Sequence, residues 1–190
     1  MPGYELINKS EKKAVSEIFD NRELFYNGRR VKKFENKFSK YINSKYAIAV
    51  SNGTVALELS LLSLNLKTND QIIVTPRSYF SSASSILKVG SKPVFVDVDI
   101  NTQNITLENI KKAVTKKTKV IICVHLAGYP CDMIEISKFA KKNNLSIIED
   151  CSQAHGAKIN QKKIGSFGDI SIWSFCNDKI ISTLGEGGMI

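Results

Sequence analysis

No apolar run in this sequence approaches the roughly 18 residues that a membrane-spanning helix needs, and the opening MPGYELINKSEKK has no apolar core of a signal peptide. A soluble, cytoplasmic protein with no membrane partner is the expectation. Cysteine is sparse, and Cys123, Cys131, Cys151 and Cys176 form no CxxC pair and have no histidine at metal-ligand spacing. Neither a zinc site nor a disulfide framework follows, and the thiols are expected to be reduced and mostly buried. The two common nucleotide signatures, GxGxxG and the Walker lysine, are also missing. Positive charge is abundant, with 27 Lys and Arg against 18 Asp and Glu and a formal net charge of +9. The excess lies in lysines scattered over helical faces, as in KKAVTKKTK (111–119) and FAKKNN (139–144), without interleaved arginines and aromatics. Such a pattern reads as solvated surface and not as a nucleic-acid interface.

What remains is the material of one α/β domain. The 190 residues are enough for a full-sized core. Short β-branched runs at 46–50, 71–76, 93–98, 119–125 and 145–150 read as buried strands. They alternate with amphipathic stretches at 53–65, 79–89, 107–114 and 132–143 that read as helices. That order predicts a mostly parallel sheet flanked by helices. Residues 1–45 are polar and helical in character and are expected to form a lead-in packed on the main domain, 46–190.

In open α/β sheets, ligands gather where strands end and helices begin. After the first strand, SNGTVALELSLLSL offers a Ser or Asn cap, Gly53 for close backbone approach and the Thr54 hydroxyl. This is a phosphate cradle at a helix N-terminus, with ordinary N-capping as the plain alternative. LSIIED ends in two acids that burial makes costly unless they are paired, and Asp150 is placed to face a ligand such as a cationic ring nitrogen. Gln153 and His155 follow within contact range of such a ring or of the backbone, and His125 reads as structural. Finally SFCNDKIISTLGEGG sets Lys179 between an apolar aromatic segment and glycines, where desolvation favours a nucleophilic amine. A phosphate cradle, an aspartate for a pyridine nitrogen and a lysine for an aldehyde are together the requirements of pyridoxal 5'-phosphate.

In SNGTVAL, VTPRSYFSSAS, GSKPVFVDVD, VHLAGYPCDM, IEDCSQAHGA, GSFGDISIWSF and DKIISTLGEGG, taken in this order, the chain resembles the DegT/DnrJ/StrS family of sugar aminotransferases. The resemblance implies the large domain of the fold-type I transferases. It implies that Lys179 forms the Schiff base and later moves a proton between substrate and cofactor carbons, and that Asp150 partners the pyridinium nitrogen. By the same resemblance Gln153 approaches the phenolic oxygen, Gly53, Thr54 and Ser174 hold the phosphate, and Phe80 stacks on the ring. The activity implied is transfer of an amino group, with glutamate as donor, to a nucleotide-linked keto-sugar in polysaccharide or amino-sugar biosynthesis. Dehydratases of the same family carry histidine in place of the lysine, which disfavours that variant here. Cys176 stands where many members have histidine. Members resemble a chain about twice this length that dimerises and shares residues between sites. The 190 residues alone are therefore expected to bind cofactor weakly, with a catalytically silent fragment as the alternative reading.

Overall fold

Strands that are apolar on both faces must be covered on both faces, and this requirement organises the molecule. The computed structural model describes residues 3–23 and 28–190. Helices α1 (Lys9–Asp20) and α2 (Arg29–Ile42) come first, followed by β1 (Ala49–Val50), α3 (Gly53–Ser63), β2 (Gln71–Val74), α4 (Ser81–Lys88) and β3 (Lys92–Phe95). Then come α5 (Leu107–Ala113), β4 (Thr118–Val124), α6 (Met133–Lys142), β5 (Ser146–Asp150), the hairpin β6 (Lys158–Ile159) and β7 (Lys162–Lys163), β8 (Ile170–Ser174) and β9 (Gly188–Met189). Seven strands form one sheet in the order β1-β9-β8-β5-β4-β2-β3. The pairs β2–β3, β2–β4, β4–β5 and β5–β8 are parallel, and β9 runs antiparallel to both β8 and β1.

The period-2 alternation of strand side chains splits the interior into two layers. On one face Ile121 and Cys123 of β4 join Ile73, Ile147, Trp173 and Phe175 under Phe38 and Ile42 of α2, Ile110 of α5 and Met133 and Ile136 of α6. On the other, Val120, Ile122 and Val124 join Ile72, Ile148 and Ile172 under Ala56, Leu57 and Leu61 of α3 and Ile86 of α4. Each fully buried aliphatic side chain contributes roughly 1.5–3 kcal/mol by area removed from water. Helix α2 fixes its end of the sheet through aromatic edges, with Phe38 at 5.2 Å from Trp173 and 5.6 Å from Phe175. Helix α1 buries no residue.

The expected strand at 46–50 contracts to Ala49–Val50, although Ile48 exchanges backbone hydrogen bonds with Ile190 at 2.8 and 2.9 Å. Two elements are additions. ISIWSF, read in sequence only as an apolar segment, is strand β8. The lysine-rich β6–β7 hairpin carries no hydrophobic alternation to announce it, and turns on Asn160 and Gln161, both at positive φ.

Candidate active site

Strands β5 and β8 and helix α3 all bring their ligand-facing ends to one cavity of about 480 Å³. The helix start is built first. Asn52 accepts the Val55 N–H on its side chain at 2.8 Å and the Ala56 N–H on its carbonyl at 3.0 Å. The earlier first-turn N–H groups, those of Gly53 and Thr54, line the cavity at the positive end of the helix dipole, which is where an anion binds. Ser174, at the end of β8, lies against them, and a Cβ built on Gly53 would stand only 2.9 Å from the Ser174 Cβ. The glycine therefore sets how closely helix and strand approach. Gly53→Ala is expected to cost about 1–3 kcal/mol of stability by overpacking and to weaken anion binding. Chemical denaturation and a phosphate titration of the variant check both. Gly188 serves the same junction from the other side, since a Cβ there would meet the Asn52 carbonyl group at 2.5 Å.

The two acids at the end of β5 separate into different environments, as alternation requires. Glu149 and His125 are both fully buried. Glu149 accepts the N–H groups of Phe167 and Gly168 on Oε1, both at 2.7 Å, and that of Gly165 on Oε2 at 3.0 Å. His125 Nε2 lies 3.2 Å from Oε2, while its Nδ1 accepts the Cys131 N–H at 3.1 Å, which makes Nε2 the donor to the carboxylate. Burial works to raise the Glu149 pKa, but His125 and the loop N–H groups outweigh it and hold it below the ordinary value. Asp150 faces the cavity instead. Its carboxylate accepts the Ser152 N–H at 3.1 Å, and burial raises its pKa despite the Ser152 hydrogen bonds and the nearby Lys179.

His125, Glu149 and Cys151 also bring one donor atom each within 4.8 Å of one another, a grouping that no spacing in the sequence signals. The lone pairs a cation would need are already used by N–H donors, and burial pushes the Cys151 thiol well up. The cluster is a hydrogen-bonded support behind β5.

Between β8 and β9 the chain makes an excursion that carries Lys179. The Phe175 N–H donates to the Gly187 carbonyl at 2.8 Å and the Thr183 N–H to the Phe175 carbonyl at 3.1 Å, closing the base of the loop. Lys179 lines the cavity with its side chain 21% exposed, and its Nζ pairs with Asp178 at 2.8 Å. The Cys176 thiol donates to Glu186 at 3.1 Å across the same loop. Asp150, Gln153, Gly53, Thr54, Ser174 and Lys179 thus meet on one wall, whereas Phe80 does not line it. Its ring is 68% exposed beside Tyr79, which does line the cavity, with the two ring centroids 4.9 Å apart.

The DegT/DnrJ/EryC1/StrS aminotransferase family model matches residues 5–190. The chain belongs to this family. It is similar to the GDP-perosamine synthase of Escherichia coli O157:H7, with 46% identity over 180 residues that cover 95% of this chain and 49% of that protein. Among solved structures, an aminotransferase from Psychrobacter cryohalolentis matches with a TM-score of 0.93 and 49% identity over 96% of this chain and 47% of its own. An E. coli GDP-4-keto-6-deoxy-D-mannose-3-dehydratase with bound hydrated PLP matches with a TM-score of 0.91 and 35% identity, over 97% of this chain and 49% of its own. The chain spans about half the length of these relatives and corresponds to their N-terminal part.

Aminotransferases of the DegT/DnrJ/EryC1/StrS family use pyridoxal phosphate, and the cavity fits such a group. It offers helix N–H groups for a phosphate, a buried carboxylate facing the ligand space and a lysine amine in the same lining. Gln153 accepts the Ala127 N–H at 2.8 Å on its amide oxygen, which leaves its NH2 to donate. His155 lies behind β8, its ring 5.3 Å from Trp173 and 5.7 Å from Phe175. Both its nitrogens are buried, and the nearby Ser174 backbone does not reach them with hydrogen-bond geometry. Burial, then the Lys179 charge, lowers its pKa to about 4 and keeps it neutral. Sequence reasoning missed the partners Glu149, Asp178, Ser152 and Tyr79. For Glu149 the pair of acids closing LSIIED was the available signal.

Proposed function

We propose that this chain is the cofactor-binding half of a pyridoxal-phosphate-dependent aminotransferase. Its reaction moves an amino group from an amino acid, glutamate being the expected donor, to a nucleotide-linked keto-sugar in polysaccharide biosynthesis. The observation that carries the reading is the convergence of the α3 N-terminus, Asp150 and Lys179 on one cavity. The names of the relatives, a GDP-perosamine synthase and a GDP-4-keto-6-deoxy-D-mannose dehydratase, support a sugar nucleotide as substrate class. Residues 1–45 serve as a lead-in, and the complete protein works as a cytoplasmic homodimer. No helix among the described residues is long and apolar enough to cross a membrane.

When bound, pyridoxal phosphate supplies an aldehyde to carry the amino group and a ring that accepts electrons. Gly53 and Thr54 N–H groups and the Ser174 hydroxyl hold its phosphate. The Asp150 carboxylate keeps a proton on its ring nitrogen, a role for which a charged acid in a desolvated place is suited. Gln153 donates to the phenolic oxygen, and Phe80, which stands outside the cavity wall beside Tyr79, would have to turn inward to cover the ring plane. Lys179 is the amine that holds the aldehyde carbon and the base that moves a proton at the substrate carbon.

Adding pyridoxal phosphate to the purified chain, reducing with borohydride and mapping the peptides is expected to place the label on Lys179. Label on other lysines with Lys179 unmodified would overturn the assignment.

A further inference from the structure

Lys179 is engaged within the cavity. Its amine is 2.8 Å from the Asp178 carboxylate, the residue immediately before it. Asp178 lines the same cavity and has its own side chain 68% exposed. The other ionisable groups around the amine are differently engaged. Asp150 is turned to the Ser152 N–H, Glu186 accepts the Cys176 thiol, and His155 is packed between Trp173 and Phe175. Among the described residues, Asp178 is the acid in contact with the Lys179 amine.

We propose that Asp178 is a positioning residue that holds Lys179 as an ammonium ion on the cavity wall, so that capture of an aldehyde must first break this pair. The inference rests on the reading of Lys179 as the aldehyde-binding lysine. Capture requires the neutral amine. The ammonium gives a proton to solvent, the nitrogen lone pair forms a bond to the aldehyde carbon, and the carbonyl oxygen leaves as water while a carbon–nitrogen double bond forms. The adjacent carboxylate holds the amine in a 2.8 Å contact at the start and loses its partner at the end. Its exposure lets Asp178 rehydrate once the pair is broken, so the pair delays capture without preventing it. The lowered pKa of Asp178, caused first by its bond to Lys179, agrees with a carboxylate that stays ionised in this contact.

Asp178→Asn keeps the side-chain shape and removes the charge. Cofactor-free wild type, Asp178→Asn and Asp178→Glu are mixed with pyridoxal phosphate, quenched with borohydride at successive times, and the label on Lys179 is measured by peptide mass spectrometry at low and high salt. The Asn variant is expected to be labelled about 2- to 5-fold faster near neutral pH, as an incompletely buried pair allows. That advantage should shrink at high salt, where the wild-type pair is screened. Asp178→Glu, which keeps the charge, should stay near wild type. Equal or slower labelling of Asp178→Asn at low salt would overturn the role of Asp178 while leaving Lys179 in place as the acceptor. Label on a different lysine in all three proteins would overturn the site reading and this inference with it.

Discussion

Glu149→Ala is expected to destabilise the fold by about 3–5 kcal/mol, the cost of breaking a buried charge network by removing one partner. Three loop N–H groups and the His125 Nε2 converge on this carboxylate, and the Glu149 and His125 side chains have no exposed surface. Truncation leaves those donors unpaired in a place water does not reach. Glu149→Gln keeps the volume but turns an NH2 group toward N–H donors on one side, so about 1–3 kcal/mol is the expected loss. Urea denaturation of both variants checks the order, and an alanine variant within 1 kcal/mol of wild type, roughly the value of one ordinary hydrogen bond, would show the network to be dispensable. The damage would not be confined to stability. The loop held by Glu149 runs directly into β8, which carries Ser174, and Glu149 is the neighbour of Asp150 on β5.

The adjacent acid is expected to respond in the opposite sense. Asp150→Asn should stabilise the cofactor-free protein by about 0.5–2 kcal/mol, the usual gain from relieving a functional compromise. Burial raises the Asp150 pKa above its ordinary 3.8 in the folded chain. The folded state then binds the proton more tightly than the unfolded one, and wild-type stability falls as pH rises from about 3.8 through the raised folded value. The asparagine variant lacks this penalty, so its advantage should be absent below that window and complete above it. Paired denaturation curves at several pH values test this, and a destabilised variant at pH 7 would contradict it. Where amino transfer is measured, the same substitution should retain much of the phosphate-anchored binding. It should slow the reaction about 100-fold or more, because a neutral amide cannot stabilise the ring charge that develops.

The fold was legible because its signals are local. A strand covered on both faces needs a run of apolar residues, and KVIICVH is one, with alternate side chains feeding the two core layers. The helix start at SNGTV was legible as well, since a cap residue and a glycine announce it, and Asn52 supplies the cap. Asp150 could be chosen over Glu149 by its place at the strand end. What remained hidden depends on residues distant in the chain. The role of Glu149 is set by Gly165, Phe167 and Gly168, and the metal-like grouping of His125, Glu149 and Cys151 exists only once β4 and β5 pair. Phe80 and Tyr79 show the limit of reading one position at a time. Two adjacent aromatics at the start of α4 cannot both take the same place, and Tyr79 lines the cavity wall while Phe80 stands outside it.

The pairing of Ile48 with Ile190 has a consequence for the order in which the molecule folds. Strands β2 to β5 pair with partners that come soon after them in the chain, at modest loop-closure cost. The edge formed by β1 and β9 joins residues separated by most of the chain, so β1 gains its strand partner only after β9 is made, with the Glu35 carboxylate, which accepts the Ala49 N–H at 2.9 Å, as its nearer tie. During synthesis the central parallel strands can assemble while β1 is still without its neighbour. The anion-binding start of α3 directly follows β1 and is braced by Gly188 of β9, so it becomes rigid only once β9 has paired. Hydrogen exchange should then show the Ile48 and Ile190 amides opening far more readily than those of β4, with the phosphate cradle following the edge and not the centre.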